Sequence, residues 1–202
     1  MSMLQTLHDE RLELISGLLL NAKVTSVLDL GCGAGRLLAR LLGHPQFTLV
    51  TGIDSSASAL AVARSTLLCN PFADARLRLV HGSCTEPQLQ LQAHDAVTMI
   101  ETIEHLDPER VSAAELTVFA HYRPQLALVT TPNREYNPLL GLPDGRLRDP
   151  DHRFEWSRAR FRAWAAGVAK RHGYTLHIGG IGEPHPELGS ATQYAQFVRN
   201  RP

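Results

Sequence analysis

The chain has 202 residues, 44% of them hydrophobic and 20% charged; that length supplies one domain with a core large enough to need no staples. Twenty Lys/Arg balance 20 Asp/Glu, which excludes a protein that holds nucleic acid mainly by bulk charge. No apolar run is long enough to span a bilayer.

The N-terminal MSMLQTLHDERLE has acids where a secretory leader needs a basic and then an apolar stretch. A helix is predicted over about 4–20, preceding the sheet and covering one face of it. Val24 to Leu30 is a β-branched and leucine run stopped by Gly31, a strand signature. Arg36 to Leu42 reads as a helix, Thr48 to Ile53 as a second strand, and Ala57 to Leu68 as a second sheet-covering helix. Arg76 to His81 alternates and gives a third strand; Ala96 to Ile100 is a fourth, apolar on both faces. Asp107-Pro108 is a helix start, with Asp as cap and Pro at the first helical position, and that helix runs to about Tyr122. Leu126 to Thr130 is a fifth strand. Ser157 to His172 is a helix capped by Ser157 and stopped by Gly173. Tyr174 to Ile178 and Gln193 to Val198 are strands with no long helix between them, hence a hairpin. The expectation is an α/β fold with a mostly parallel seven-stranded sheet, helices on both faces and a C-terminal antiparallel hairpin. Residues 1–202 read as one domain with a basic insertion at about 132–156. From Arg134 to Arg171 there are nine Lys/Arg against five acids, a local surplus of four. Cys32, Cys69 and Cys84 fit neither a disulfide framework nor a zinc motif. They suit a reducing compartment, so a cytoplasmic protein is expected.

The first strand ends in VLDLGCGAG, residues 27–35. A strand running through glycines into a helix lets a ligand approach the backbone. A dinucleotide fingerprint needs glycine at 36, where Arg stands, so that reading fails. Asp29-Leu30-Gly31-Cys32-Gly33 is instead similar to the E/D-x-G-x-G of class I S-adenosylmethionine methyltransferases. Asp54 ends the second strand, where an acid can accept both ribose hydroxyls of an adenosine cofactor; it can equally cap the helix beginning at Ser55. Ser83, in the HGSCTE turn after strand three, would border the adenine. Asp29, Gly31, Gly33, Asp54, Ser55 and Ser83 are therefore the candidate cofactor residues, and a bare tight turn is the plain alternative for the glycines.

Strand four runs into ETIEHLDP. Glu101, Glu104 and His105, at i, i+3 and i+4, sit where open α/β sheets keep their ligands. Two carboxylates and an imidazole together make a divalent-metal site of mixed O and N donors; a solvated helix end is the alternative. His152, in DPDHRFEW, is a candidate fourth donor. Asn133 is a candidate for holding a terminal nucleotide, or a turn residue after Pro132. Arg146, Arg148, Arg153 and Arg158 are candidate phosphate contacts. Phe154 and Trp156 can stack on a base or anchor the insertion on the core.

The pairing of ExxEH after strand four with DHxFEW after the insertion resembles the small-RNA 3′-terminal 2′-O-methyltransferases of the HUA-enhancer type. The resemblance runs from about Val27 to Phe197 and includes the HGS turn, TPNREYNPL, LRDPDHRFEW and the C-terminal GxGEP and TQ segments. It implies a class I methyltransferase (Rossmann-like) fold and S-adenosyl-L-methionine as cofactor. It also implies a divalent metal, Mg or Mn, held by Glu101, Glu104, His105 and His152. The catalytic work would fall to His105 and Glu104. The substrate would be the 2′-OH of the 3′-terminal nucleotide of RNA, single-stranded or a tRNA fragment. In bacteria the partner would be an RNA repair kinase–phosphatase–ligase; no membrane is involved. Bacterial members often carry a long N-terminal domain that activates the ligase; here 23 residues precede the first strand. That fits a domain of a longer protein or a standalone member.

Chelation of the terminal 2′,3′-diol would explain a preference for RNA ends. The alternative is a metal-dependent small-molecule O-methyltransferase acting on a diol or catechol; the basic insertion favours RNA. A silent scaffold that binds S-adenosylmethionine and a protein partner is the reading from another class.

Overall fold

A computed structural model describes residues 3–67, 75–91 and 94–200. Leu68, the expected end of a helix, and Cys69 lie outside them. The helix α1 (Met3–Asn21) precedes a seven-stranded sheet built from β1 (Ser26–Leu30), β2 (Leu49–Asp54), β3 (Leu77–His81), β4 (Ala96–Ile100), β5 (Leu126–Pro132), β6 (Tyr174–Ile181) and β7 (Thr192–Arg199). The strand order is β3-β2-β1-β4-β5-β7-β6. All neighbours are parallel except β7, which runs antiparallel to β5 and to β6. The expected C-terminal hairpin is therefore present, with Ile178 opposite Ala195. Its strands are longer than the apolar runs indicated, because the ladder continues through Gly179, Gly180 and Ile181.

Burial on both faces explains the unbroken apolar runs of the central strands. On one face Leu12, Ile15 and Leu19 of α1 pack with Val27, Val50 and Leu128. Leu38 and Leu41 of α2 (Arg36–Leu42) and Leu60 and Ala63 of α3 (Ala57–Leu67) complete that layer. On the other face Phe161, Ala165 and Val168 of α5 (Arg158–His172) pack with Met99, Val118, Phe119 and Phe197. Ser157 caps α5 by accepting from the Arg160 amide at 3.2 Å, and Gly173 ends it at φ +75°.

One element departs from expectation. The single helix predicted from Asp107 to Tyr122 is a 3₁₀ turn (Pro108–Arg110), then α4 (Val111–Glu115), then a π-helical stretch (Leu116–Tyr122). The Arg123 amide reaches back to the Val118 carbonyl at 2.9 Å. More residues per turn narrow the angle between successive side chains, which lets Thr117, Val118 and Phe119 all turn inward. Asp107 sits at the cap position, but its side chain caps nothing; it faces Arg153 at 3.7 Å.

The insertion folds back against the sheet end. Residues Arg134–Leu140 form 3₁₀ turns ended by Gly141 at φ +73°, and Asn133 pairs with Trp156 across the base of the loop. The Arg153 amide donates to the Glu104 carbonyl at 2.7 Å, fastening the insertion to the turn after β4.

Candidate active site

The loop after β1 is held open from below. Gly31 and Cys32 donate their amides to the Ile53 carbonyl at 2.8 and 3.0 Å. The Gly33 amide donates to Asp54 Oδ2 at 2.7 Å, and the Ser56 amide to Asp54 Oδ1 at 2.8 Å. Asp54 thus joins the two loops and serves the helix start as well; each of its oxygens has capacity for a second hydrogen bond, and Asp54 lines the adjoining cavity. That cavity is about 510 Å³. Gly31, Gly33, Asp54, Ser55 and Ser83 line it together with Glu101, Thr102 and His105. Ser83 Oγ is 2.8 Å from Thr85 Oγ1, which also accepts from Arg110.

Asp29 is different. It is buried in β1 opposite Thr98 of β4, and Thr98 donates to its Oδ1 at 2.7 Å. It supports the loop rather than lining the cavity. Burial, with the Asp54 charge adding to it, pushes its carboxyl up to about 7 despite the Thr98 hydrogen bond. The folded state thus keeps a proton that the unfolded chain gives up. The resulting penalty is absent below the ordinary carboxylate range, grows as pH rises, and is complete above about 7. Asp29→Asn should therefore match the wild type in thermal unfolding at pH 4. At pH 8.5 it should be the more stable, by an amount of order 4 kcal/mol at most. Parallel melting curves at both pH values would show that Asp29 is ionised without cost.

Beyond β4 the chain turns sharply. Glu101 takes φ +51°, a region rare for residues with a β-carbon, and a 3₁₀ turn (Ile103–His105) follows. This turn and the insertion bring Glu104, His105 and His152 together, with one donor atom of each within 4.8 Å of the others. The two imidazoles meet edge to face, centroids 4.8 Å apart. Glu104 is fully buried; its Oε2 accepts from Thr131 Oγ1 at 3.0 Å and its Oε1 has no partner. Burial, reinforced by the Glu101 charge, raises its carboxyl well above the usual range. A buried, half-bonded carboxyl group beside two imidazoles offers the mixed O and N donor types that divalent cations take.

His152 is aimed by a neighbour. Its Nδ1 lies 2.6 Å from Glu155 Oε1, so a proton held there leaves Nε2 as the free donor. Glu155 is buried and also accepts from the Arg148 amide at 2.7 Å and from Asn137 Nδ2 at 2.6 Å. Sequence reasoning missed Glu155 in this role, although its spacing of three from His152 was visible in DHRFEW.

Glu101 lines the cavity but stands apart from the trio. Its Oε1 accepts from Thr130 Oγ1 at 2.8 Å, and its Oε2 is 3.0 Å from Arg11 of α1. Nothing in the local sequence pointed to Arg11. Several other candidates prove structural. Asn133 is buried, giving both amide hydrogens to the Leu188 and Ser190 carbonyls and accepting from the Glu135 amide. Arg148 donates to Asn137 Oδ1 and to the Ala191 and Asn133 carbonyls. Arg158 is bound to Glu135 and the Glu187 carbonyl. Phe154 and Trp156 stack on each other at 4.8 Å and pack on the core, which favours anchoring over base stacking. Arg146 remains exposed.

A methyltransferase-domain family matches residues 27–125. The methyltransferase domain of bacterial CtHen1 is similar, with TM-score 0.86 and 39% identity over 95% of this chain and 99% of that one. The small RNA methyltransferase HEN1 gives TM-score 0.89 at 33% identity, over 96% of this chain and 26% of that one. The small RNA 2′-O-methyltransferase of Mus musculus is 34% identical over 96% of this chain and 51% of its own length. The chain thus spans about half the length of the curated relatives it matches first. No helix among the described residues is long and apolar enough to cross a membrane.

Proposed function

This chain belongs to the small RNA 2′-O-methyltransferase family, and from that premise we propose that it moves the sulfonium methyl of S-adenosylmethionine to the 2′-hydroxyl of the 3′-terminal nucleotide of RNA. One observation carries the proposal. A single cavity joins Gly31, Gly33, Asp54, Ser55 and Ser83 to Glu101 and His105, with Glu104 and His152 behind them. A cofactor and a hydroxyl-bearing substrate therefore share one space.

In this reading the glycines let the cofactor approach the backbone, the Asp54 carboxylate accepts its ribose hydroxyls, and Ser83 borders its base. Glu104, His105 and His152 would hold Mg or Mn, and the partnerless Oε1 of Glu104 fits that demand. When bound, such a cation supplies Lewis acidity toward a ribose hydroxyl. The sulfonium is already a strong electrophile, so the chain's task is alignment and removal of one proton. The new C–O bond forms as the S–C bond breaks, and the hydroxyl proton passes to His105 when its imidazole is not holding the cation, or to solvent, leaving S-adenosylhomocysteine. The substrate class is a single-stranded RNA end or a tRNA fragment. An RNA repair kinase–phosphatase–ligase is the proposed partner.

The test is transfer from labelled S-adenosylmethionine to a short single-stranded RNA ending in 3′-OH, with manganese, with magnesium and with a chelator. The same RNA oxidised at its terminal diol, or ending in 3′-phosphate, runs alongside. Transfer should need both metal and the intact diol. RNA binding should weaken steeply as salt rises, which turnover of a small catechol would not. Equal methylation of 3′-phosphate ends would remove the diol from the mechanism. Cofactor binding without RNA methylation under any metal would favour the small-molecule alternative.

A further inference from the structure

Three of four expected donors meet, and the fourth is held elsewhere. Both oxygens of Glu101 are taken, by Thr130 Oγ1 at 2.8 Å and by Arg11 Nη2 at 3.0 Å. Thr130 grips the same residue twice, since its Oγ1 also accepts from the Glu101 amide at 3.0 Å. The Arg11 side chain is only 8% exposed and comes from α1. It is seated by Thr192 Oγ1 at 3.2 Å and lies 3.2 Å from His8 Nδ1, while its Nε is buried without a partner. A buried guanidinium needs a counter-charge, and Glu101 supplies it.

The two demands on Glu101 compete. A carboxylate paired with a buried guanidinium gives up part of that pairing to join a second cation, and the two cations repel each other at short range. We propose that Arg11 is a positioning residue that clamps Glu101 beside the Glu104–His105–His152 trio and thereby sets how tightly the site takes a divalent ion. The clamp makes α1 part of the metal site, though no residue of α1 contributes a donor atom. This inference rests on the proposed metal role of the trio.

The experiment is a manganese titration of the cofactor-free protein, following free Mn²⁺ by its electron paramagnetic resonance signal. It compares wild type, Arg11→Met, Glu101→Gln and the double variant. Arg11→Met should bind Mn²⁺ about tenfold more tightly than wild type, because it removes a cation that competes for the Glu101 carboxylate and repels the bound ion. With Gln at 101 the same change should shift affinity by less than about twofold, since the coupling acts through the carboxylate. Unchanged or weaker binding by Arg11→Met would overturn the clamp. Equal tightening in both backgrounds would do so too, because Arg11 would then be a background charge and not a clamp on Glu101. If Arg11→Met does not fold, Arg11→Gln carries the comparison, removing the charge while keeping hydrogen-bond donors; it too should bind more tightly than wild type. A wild type that takes no Mn²⁺ would sink the metal reading itself, and the clamp with it.

Discussion

Glu104→Gln should abolish RNA methylation while leaving the fold intact. The side chain is fully buried, and Gln matches it in size and can still accept from Thr131 Oγ1. What the substitution removes is the anionic oxygen of the trio. In the proposed mechanism several kcal/mol of barrier lowering would depend on that charge, which corresponds to a loss of about 10³-fold in rate. The second readout separates this from a structural defect. Burial and the Glu101 charge hold the Glu104 carboxyl far above its ordinary range, so ionising it in the metal-free protein costs stability. In chelator, Glu104→Gln should therefore melt at or above the wild-type temperature at neutral pH, and added manganese should stabilise the wild type alone. A variant that is both inactive and strongly destabilised in chelator would make Glu104 a core residue rather than a donor.

Gly31→Ala and Gly33→Ala should fail in different ways. Both positions take left-handed backbone, φ +79° and +52°, which costs about 1–2 kcal/mol for a residue with a β-carbon. At Gly31 an added β-carbon would also stand 2.5 Å from Thr102 Cγ2 and 2.7 Å from its Oγ1. Thr102 cannot swing away freely, because it is buried and its hydroxyl lies 3.1 Å from the Leu30 carbonyl and 3.2 Å from that of Ile100. Overpacking and backbone strain together should cost about 3–5 kcal/mol, seen as a large loss of thermal stability. At Gly33 nothing lies within 4 Å of the added carbon, yet the residue lines the cavity. Gly33→Ala should therefore lose only the backbone strain of about 1–2 kcal/mol in stability, less than Gly31→Ala, and lose S-adenosylmethionine affinity as well, measurable by calorimetry. The reverse pattern would mean that the loop does not cradle the cofactor through Gly33.

Much of this was legible because it is local. The apolar runs at 24–30, 48–53, 96–100 and 126–130 announced strands, the third of these runs apolar on both faces, and alternation with helices implied their parallel pairing. Ser157 and Gly173 marked both ends of α5 through interactions that span three or four residues. Gly33 and Asp54 are 21 residues apart, the reach of one helix and one strand, and the two meet at 2.7 Å. Glu104, His105 and His152 carried their chemistry in their residue types, so their convergence could be expected before it was seen.

What the chain order could not supply was the choice of partners. Arg148 and Arg158 count as surplus basic residues in the sequence, yet the fold turns both guanidinia onto protein oxygens. Asn133 looked equally apt for a nucleotide or a turn, and its burial settles it on the Leu188 and Ser190 carbonyls. The π-helical stretch before Arg123 answers to packing on Phe197 and Tyr174, not to helix propensity. The sequence by itself therefore determined the strands, the glycine loop and the residue types of the candidate donors, since periodicity, turn chemistry and ligand type are written within a few residues. Only the tertiary structure decided that Arg11, 90 positions before Glu101, would bind it, and that Glu155 would aim His152. A buried charge finds its counter-charge wherever the fold has closed off water, and that pairing has no period in the chain.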